Sequence, residues 1–296
     1  MRPLLLVIAV LCLSLPALLI RGARAPIEGI GFWRLILACA VLAPWAWARR
    51  QAWTVPARRS VALAGTLFFL HLWTFTWAVS HTTVANLMLA FSTHPVWTGL
   101  GAWLLFKEPL GRRELAALLL AGAGVAVLFD GSMSLGGTGL AGDLSALLSA
   151  MFFSGWVLAG RRVRRGLDTV SFLFVAYGTA AALFFIVGSA RGASWTGYSM
   201  STWAALAALG LAVSLGGHGL FTYLLNKYDV LVLSCAKLVE PVIAATCAAW
   251  LYREPLSAHL AAAFVLIAAG VLVLMRPWHD HSHVARKGRA SYTVAE

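Results

Sequence analysis

A basic and an acidic residue lie three positions apart inside a long apolar segment in the second half of the chain. Lys237 and Glu240 share one face of a helix at this spacing. If the segment crosses a membrane, charges there are costly and indicate a functional site. Glu240 would bind a substrate amine or carry a coupling proton, with Lys237 holding it ionised. The alternative is an ion pair that only makes both charges tolerable. Pro241 loosens the helix directly after Glu240, which favours a position beside a water-filled cavity.

Three histidines occupy positions related to this pair or to each other. His94 stands 146 residues before Glu240, and His71 stands 147 residues before His218. Because histidine changes charge near neutral pH, each could line a cavity and bind substrate or relay protons. The alternative is that each histidine is hydrogen-bonded inside the core for structural reasons.

Aromatic and small polar residues also recur at helical spacing. Trp73 and Trp77 lie four positions apart, and Tyr223 stands 146 residues after Trp77. Asn86 and Thr93 fall on one face of the next apolar segment. A cavity walled by these rings, with Asn86 and Thr93 as polar points, would suit a flat or aromatic solute. The alternative is that the stripe packs helices or anchors them at the membrane surface.

The remaining candidate cysteine, histidine and acidic residues are interpreted as structural or solvated. We expect no cofactor. The cysteines lie in apolar runs and are interpreted as packing residues: Cys12, Cys39, Cys235 and Cys247. The polar tail could bind a metal or stay solvated, and its lack of fixed geometry favours the second: His279, Asp280, His281 and His283. Glu108 and Glu254 each precede a proline, a pattern typical of a helix end.

The composition predicts an integral membrane protein. Hydrophobic residues make up 60% of the 296 and charged residues 11%, whereas a soluble domain has about 45–50% and about 25%. The net charge of +12 could indicate nucleic-acid binding, but the basic residues lie between apolar runs, as membrane topology requires. We therefore expect the lipid bilayer and a small-molecule substrate as partners, and no nucleic acid.

Apolar segments of about 20 residues, the length that crosses a bilayer, occur ten times. Since backbone groups in lipid must be hydrogen-bonded internally, we predict an all-α membrane protein. The predicted spans are Pro3–Ile20, Ile30–Ala48, Val61–Val79, Thr83–Phe106, Glu114–Phe129, Asp143–Gly160, Ser171–Ser189, Thr202–Leu225, Val230–Tyr252 and His259–Met275. The first segment, followed by Ala23-Arg24-Ala25, also resembles a cleavable signal peptide, and cleavage would leave nine spans.

Lys and Arg collect at one side of these spans. The side that receives Arg2 receives most of them, whereas the other side receives only Arg21, Arg24, Arg191 and Arg253. Since cytoplasmic loops are enriched in Lys and Arg, we expect both termini in the cytoplasm.

The chain contains one long unit twice, at a constant offset of 146 residues. The first copy contains His94-Pro95-Val96, Lys107-Glu108-Pro109-Leu110 and Ala123-Gly124-Val125. The second contains Glu240-Pro241-Val242, Arg253-Glu254-Pro255-Leu256 and Ala269-Gly270-Val271. Five spans per copy is an odd number, so the repeats are inverted, with a site expected between them. We predict a first repeat over 1–129, an external linker over 130–142, a second repeat over 143–276 and a disordered cytoplasmic tail over 277–296.

These paired motifs resemble the EamA family of the drug/metabolite transporter superfamily. Gly142-Asp143-Leu144 opens the second copy as in that family, Arg34 follows Pro26 as in its second helix, and Leu238-Val239-Glu240-Pro241 matches its ninth helix. The resemblance implies ten helices in two inverted five-helix repeats, an inward structural role for Arg34, and movement of small organic metabolites across the inner membrane. The first helix departs from the family by lacking its usual Gly and Trp pattern.

The sequence therefore predicts a secondary transporter rather than an enzyme. We expect a monomeric or homodimeric exporter of small organic metabolites or drugs, amino-acid-like or aromatic, that works by alternating access with proton coupling. A membrane-embedded enzyme acting on a lipid is the first alternative, but no HExxH, GxSxG or P-loop motif occurs. A channel is the second, but an inverted repeat fits alternating access better than the charged rings or carbonyl filters of channels.

Overall fold

The computed structural model describes residues 2–48, 55–107, 111–134, 139–163, 168–224 and 236–275, and the regular structure within these residues is helical. The helices of the first half are α1 (Arg2–Ser14), α2 (Pro16–Gly22), α3 (Ile27–Ala48), α4 (Val55–Val79), α5 (Val84–Phe91), α6 (His94–Phe106) and α7 (Arg112–Ser134). Those of the second half are α8 (Leu140–Val163), α9 (Thr169–Ala190), α10 (Met200–Ala208), a π-helical stretch (Leu209–Gly219), α11 (Leu220–Leu224), α12 (Val239–Tyr252) and α13 (Ala258–Met275).

The prediction of an all-α multi-pass membrane protein is confirmed, but ten complete spans are not. Seven helical runs within the described residues are long and apolar enough to cross a membrane, and Val239–Tyr252 and Ala258–Val273 are shorter apolar helices. The predicted span Thr83–Phe106 is not one helix, because it is interrupted between α5 and α6. The beginning of the predicted ninth span, the whole predicted tail (277–296) and Glu108 lie outside the described residues.

Helices extend into the predicted linker from both of its ends. α7 continues to Ser134, five residues into the predicted linker 130–142, and α8 begins at Leu140. Hydropathy marks only the apolar part of a helix, so it does not show that the helix continues into polar residues. The backbone groups of those residues can still form intrahelical hydrogen bonds.

The sequence repeat appears in the geometry of α6 and α12. Pro95 lies in the first turn of α6 and Pro241 in the first turn of α12, where the missing backbone N–H costs no intrahelical bond. Each helix ends on a residue in the left-handed conformation, Lys107 with φ 58° and Arg253 with φ 54°. These two residues stand 146 positions apart, so the two copies contain the same short helix with the same ending.

The crossing of α7 and α13 is reciprocal. A Cβ added to Gly124 would lie 3.0 Å from the carbonyl oxygen of Ala263, and one added to Gly270 would lie 2.9 Å from that of Ala117. Each residue stands 146 positions from its counterpart. Such exchange of equivalent contacts is typical of halves related by a two-fold axis, and small residues let the two backbones approach closely.

The two halves are interlocked rather than side by side. α4 packs against α8 and α9, while α3 packs against α9 and the π-helical stretch. The core between them includes the fully buried rings of Phe68, Tyr177 and Phe184. Helices of both repeats therefore surround the middle of the bundle, where the candidate site lies.

The span from Met200 to Leu224 contains the π-helical stretch. In it, the Ser214 hydroxyl donates to the Leu209 carbonyl oxygen, five residues earlier, at 3.0 Å. π-Helical turns are uncommon and are often found at functional sites. This stretch also carries His218 and supports the side chain of Arg34.

Candidate functional site

A narrow central cavity lies between the two halves. Its empty space, with the openings to the outside included, is about 350 Å³, and the side chains around it are Leu13, Pro16, Arg34, His71, Leu72, Phe75, Met88, Phe91, His218, Lys237 and Glu240. An adjoining pocket of about 300 Å³ shares Met88, Phe91, Lys237 and Glu240 and adds His94 and Pro95. The central cavity is constricted to about the size of one water molecule in this conformation, so a larger solute requires the helices to separate.

Lys237 and Glu240 lie together at this cavity. The Lys237 Nζ is 3.7 Å from the Glu240 Oε1, which is too long for a hydrogen bond, and Glu240 Oε1 has no hydrogen-bond partner. The ammonium group also lies 4.8 Å from the centre of the Phe221 ring and 5.5 Å from that of Phe153. Lys237 is thus held by several weak contacts, and one carboxylate oxygen of Glu240 is free to accept a hydrogen bond.

The three predicted histidines surround one phenylalanine. The Phe153 ring centre lies 5.1 Å from that of His71, 5.0 Å from that of His94 and 5.7 Å from that of His218. His71 Nδ1 is 2.8 Å from the hydroxyl of Ser149, whereas His94 Nδ1 has no hydrogen-bond partner. The structure thus brings together residues that the sequence pairs only by offset.

Arg34 is the second cation of the cavity. Its side chain comes from α3, and only 2% of the residue surface is exposed. Its Nε donates to the Ser214 hydroxyl at 2.8 Å, while its Nη2 has no hydrogen-bond partner. The inward position agrees with what the resemblance implies, and of the two positions open to an arginine near a span end, the membrane surface or the cavity, Arg34 occupies the cavity.

The aromatic residues predicted to wall the cavity lie elsewhere. Trp73 stacks on Phe184, with ring centres 6.0 Å apart, and Trp77 stacks on His81 at 3.6 Å. Tyr223 is 50% exposed on the surface of the bundle. The four-residue spacing predicts that the two tryptophans share one face of α4. A different face of this helix, which carries Leu72 and Phe75, lies at the cavity.

The predicted polar points on the fourth span are not at the cavity either. Thr93 is buried, where its hydroxyl donates to the Ala90 carbonyl oxygen at 2.7 Å and accepts from the Trp97 indole at 3.0 Å. It therefore stabilises the interruption between α5 and α6.

Asn86 instead joins a group that we term the Asp143 cluster, composed of Thr82, Asn86, Ser132 and Asp143. The Thr82 hydroxyl donates to Asp143 Oδ1 at 2.5 Å, the Ser132 hydroxyl donates to Oδ2, and the Asn86 amide donates to Oδ2 at 3.4 Å. Asp143 is fully buried in the first turn of α8, where the helix dipole favours a carboxylate. Both carboxylate oxygens of Asp143 have a hydrogen-bond partner. Because these partners come from the turn after α4, the start of α5 and the end of α7, the cluster joins those segments to the start of α8.

Glu254 forms a second contact between elements. Its carboxylate accepts the Val84 backbone N–H, at 2.8 and 3.1 Å, and pairs with Arg21. The N–H groups in the first turn of α5 lack intrahelical acceptors, so a carboxylate is favoured there. The structural role predicted for Glu254 therefore includes joining α2, α5 and the end of α12.

These features define a multi-pass membrane protein with an internal repeat and a charged cavity between its halves. A family model described as the EamA-like transporter family matches residues 2–130 and 140–276. The chain belongs to the EamA-like transporter family, which confirms the resemblance, and the two matched segments correspond to the two repeats.

Solved structures support the fold. Twenty-five solved chains match, and one crystal structure aligns over 93% of this chain and 98% of its own, with 23% identity and a TM-score of 0.65. At that identity the likeness concerns the fold alone. No curated protein matches the sequence.

Proposed function

We propose that the protein exports small organic metabolites or drugs, amino-acid-like or aromatic, by alternating access coupled to proton influx. It acts in the cell inner membrane with both termini in the cytoplasm. The observation that carries this proposal is Glu240, a buried carboxylate with an unpartnered oxygen, in a cavity between the repeats of a transporter-family protein.

Glu240 has two chemical capabilities that a coupled transporter needs. Its free oxygen can accept a hydrogen bond from a substrate ammonium group, and the carboxylate can also take up a proton. Lys237, 3.7 Å away, stabilises the ionised form while the site is empty. Competition between proton and substrate for one carboxylate would couple their movements, because each binds only when the other has left.

The cavity wall supports an apolar or aromatic portion in the substrate. Phe75, Phe91, Leu72 and Met88 provide ring faces and aliphatic surface beside the charged groups. Binding sites for small molecules usually combine such apolar walls with a few polar groups that set orientation. Pro95 and Pro241, in the first turns of α6 and α12, line the adjoining pocket, and alternating access would move these short helices relative to their neighbours.

Substrate uptake into everted membrane vesicles with an imposed pH gradient tests the proposal. The substrate is found first by screening cells that overproduce the protein for resistance to amino acids, nucleobases and toxic amines. We expect wild-type vesicles to accumulate the selected compound in response to the gradient, and Glu240→Gln to abolish the response. Asp130→Asn is the matched control, since this carboxylate has 79% of its side chain exposed and should not affect uptake.

Two results would contradict the proposal. Uptake by Glu240→Gln with the wild-type response to pH would exclude this carboxylate from coupling. Flux without stimulation by substrate on the opposite side of the membrane would indicate a channel rather than a carrier.

A further inference from the structure

We propose that Arg34 forms a carboxylate-binding subsite in the central cavity, so that the transported compounds are organic carboxylates. This inference rests on the proposed function, because it assigns the cavity to the transported solute. It adds a second recognition point to the site, on α3, distinct from Glu240 on α12.

Arg34 has an unused hydrogen-bond donor. Arg34 Nε is hydrogen-bonded to the Ser214 hydroxyl at 2.8 Å, but Nη2 is buried without a partner in the part of the chain that the structure describes. A guanidinium group has five N–H donors arranged in a plane, and two of them match the two oxygens of a carboxylate. The donor that remains unused belongs to a side chain at the cavity wall.

The charge of the cavity also favours an anion. Among the residues that line it are two basic residues, Arg34 and Lys237, and one acid, Glu240. Glu240 lies next to Lys237, at 3.7 Å. Glu28, on the same helix as Arg34, pairs instead with Arg191 at 2.9 Å. Arg34 therefore has no ion-pair partner among the described residues, and a buried, unpaired cation within a membrane is costly. An incoming anion would remove that cost.

Hydrogen bonds fix the orientation of the guanidinium. The Ser214 hydroxyl that accepts from Arg34 Nε itself donates to the Leu209 carbonyl oxygen, and the Tyr177 hydroxyl donates to the Ser214 carbonyl oxygen at 3.1 Å. The π-helical stretch thus holds one edge of the guanidinium in place. A purely structural arginine would use its remaining donors on the protein as well, since buried polar groups are normally satisfied.

Binding to the purified full-length protein tests the subsite without a transport assay. Calorimetry would compare matched probes that differ only in the acid group: benzoate with benzamide, hexanoate with hexanamide, and 3-phenylpropionate with 3-phenylpropionamide. We expect at least one carboxylate to bind, and its amide to bind about 10- to 100-fold more weakly, the ratio that one charge-assisted hydrogen-bond pair provides. This comparison uses the wild-type protein and does not depend on any variant.

Variants then assign the effect to Arg34. Arg34→Gln should abolish the preference for carboxylate over amide, and Arg34→Lys should keep part of it because the charge remains. Ser214→Ala keeps the guanidinium and removes only the hydroxyl that orients it, so it should weaken carboxylate binding less than Arg34→Gln does. Phenethylamine, which has an ammonium group and no carboxylate, should bind Arg34→Gln at least as tightly as the wild type, because the substitution removes a like charge from the cavity.

Equal binding of acid and amide, failure of every carboxylate to bind the wild type, or an undiminished carboxylate preference in folded Arg34→Gln would each overturn the subsite. The proposed function fails separately: if carboxylates bind as expected but no compound is transported, the subsite stands and the transport proposal does not. If amines are transported and carboxylates do not bind, the transport proposal stands and the subsite does not.

Discussion

The Asp143 cluster and the central cavity are both buried and polar, yet they differ in how completely their groups are hydrogen-bonded. Asp143 accepts three hydrogen bonds, and both of its carboxylate oxygens have a partner. At the cavity and its adjoining pocket, Arg34 Nη2, His94 Nδ1 and Glu240 Oε1 have none. Since more than about 90% of buried polar groups in proteins are satisfied, three unpartnered atoms at two adjoining spaces indicate a place for a ligand.

This difference in hydrogen bonding distinguishes groups that stabilise the helix packing from groups that are available to bind a ligand. Removing a satisfied group leaves its donors unpaired, so it lowers the stability of the folded protein. Removing an unsatisfied group deletes a cost that the fold already carries, so it leaves stability nearly unchanged and lowers binding instead. The Asp143 cluster and the cavity should therefore respond oppositely to substitution, in stability and in transport.

The largest expected effect is on the Asp143 cluster. Asp143→Ala removes the acceptor for Thr82, Ser132 and Asn86, and should lower the free energy of unfolding by about 3 kcal/mol or more. Unfolding in detergent, followed by circular dichroism, measures the change. Asp130→Ala removes a mostly exposed carboxylate and should change stability by about 0.5 kcal/mol or less. A stable Asp143→Ala protein that cannot transport would mean that the cluster is a functional site.

The next effect is a loss of transport without a loss of stability at the cavity. The double variant Lys237→Gln with Glu240→Gln removes both charges together, and replacing a complete buried ion pair is often nearly neutral, within about 1 kcal/mol. Transport should fall about tenfold or more, because a charged contact to the solute is lost. Uptake and unfolding are measured on the same preparation. Normal uptake by the double variant would mean that the pair is only structural.

The smallest effect compares the two partners of Glu254. Glu254→Gln weakens the acceptor for the Val84 N–H and breaks the pair with Arg21, and should cost about 1–2 kcal/mol. Arg21→Gln removes only a partly exposed ion pair and should cost less than about 1 kcal/mol. Unfolding of both variants under identical conditions measures the difference. Equal losses would show that the α5 N-terminus contributes nothing to this contact.

Much of the fold was predictable because it depends on hydropathy and on the spacing of repeated motifs, which can be read directly along the chain. Hydropathy predicted the all-α membrane class, and the offset of 146 residues predicted the repeat seen in the endings of α6 and α12 at Lys107 and Arg253. The interruption of the fourth span is signalled by Pro95, although its two short helices lack the apolar length of a complete span. Span count is less predictable, because hydropathy does not record where a helix breaks.

The site was predictable only in part. Charges and histidines in apolar segments drew attention to Glu240, Lys237, His71, His94 and His218, all of which lie at the cavity or the adjoining pocket. The helical spacing of Trp73 and Trp77 shows that they share a face of α4. It does not show whether that face lies against another helix, the lipid or the cavity.

Hydrogen bonds between residues far apart in the chain could not be predicted from the sequence. Thr82 and Asp143 are 61 residues apart, and Arg34 and Ser214 are 180 residues apart. Which of these polar groups is satisfied, and which faces the cavity unpartnered, depends on contacts that no local pattern records.

The central claim is that water and solute reach the cavity alternately from the two faces of the membrane. Met88 lies at both the central cavity and the adjoining pocket, so Met88→Cys, in a background without native cysteines, reports access by a charged, membrane-impermeant thiol reagent. Leu119→Cys is the control, because Leu119 is 66% exposed on the apolar surface of α7 and should not react. We predict labelling of Met88→Cys from either face of oriented vesicles, rising at one face as it falls at the other when the pH gradient is reversed. Labelling from one face only, under every gradient, would contradict the account.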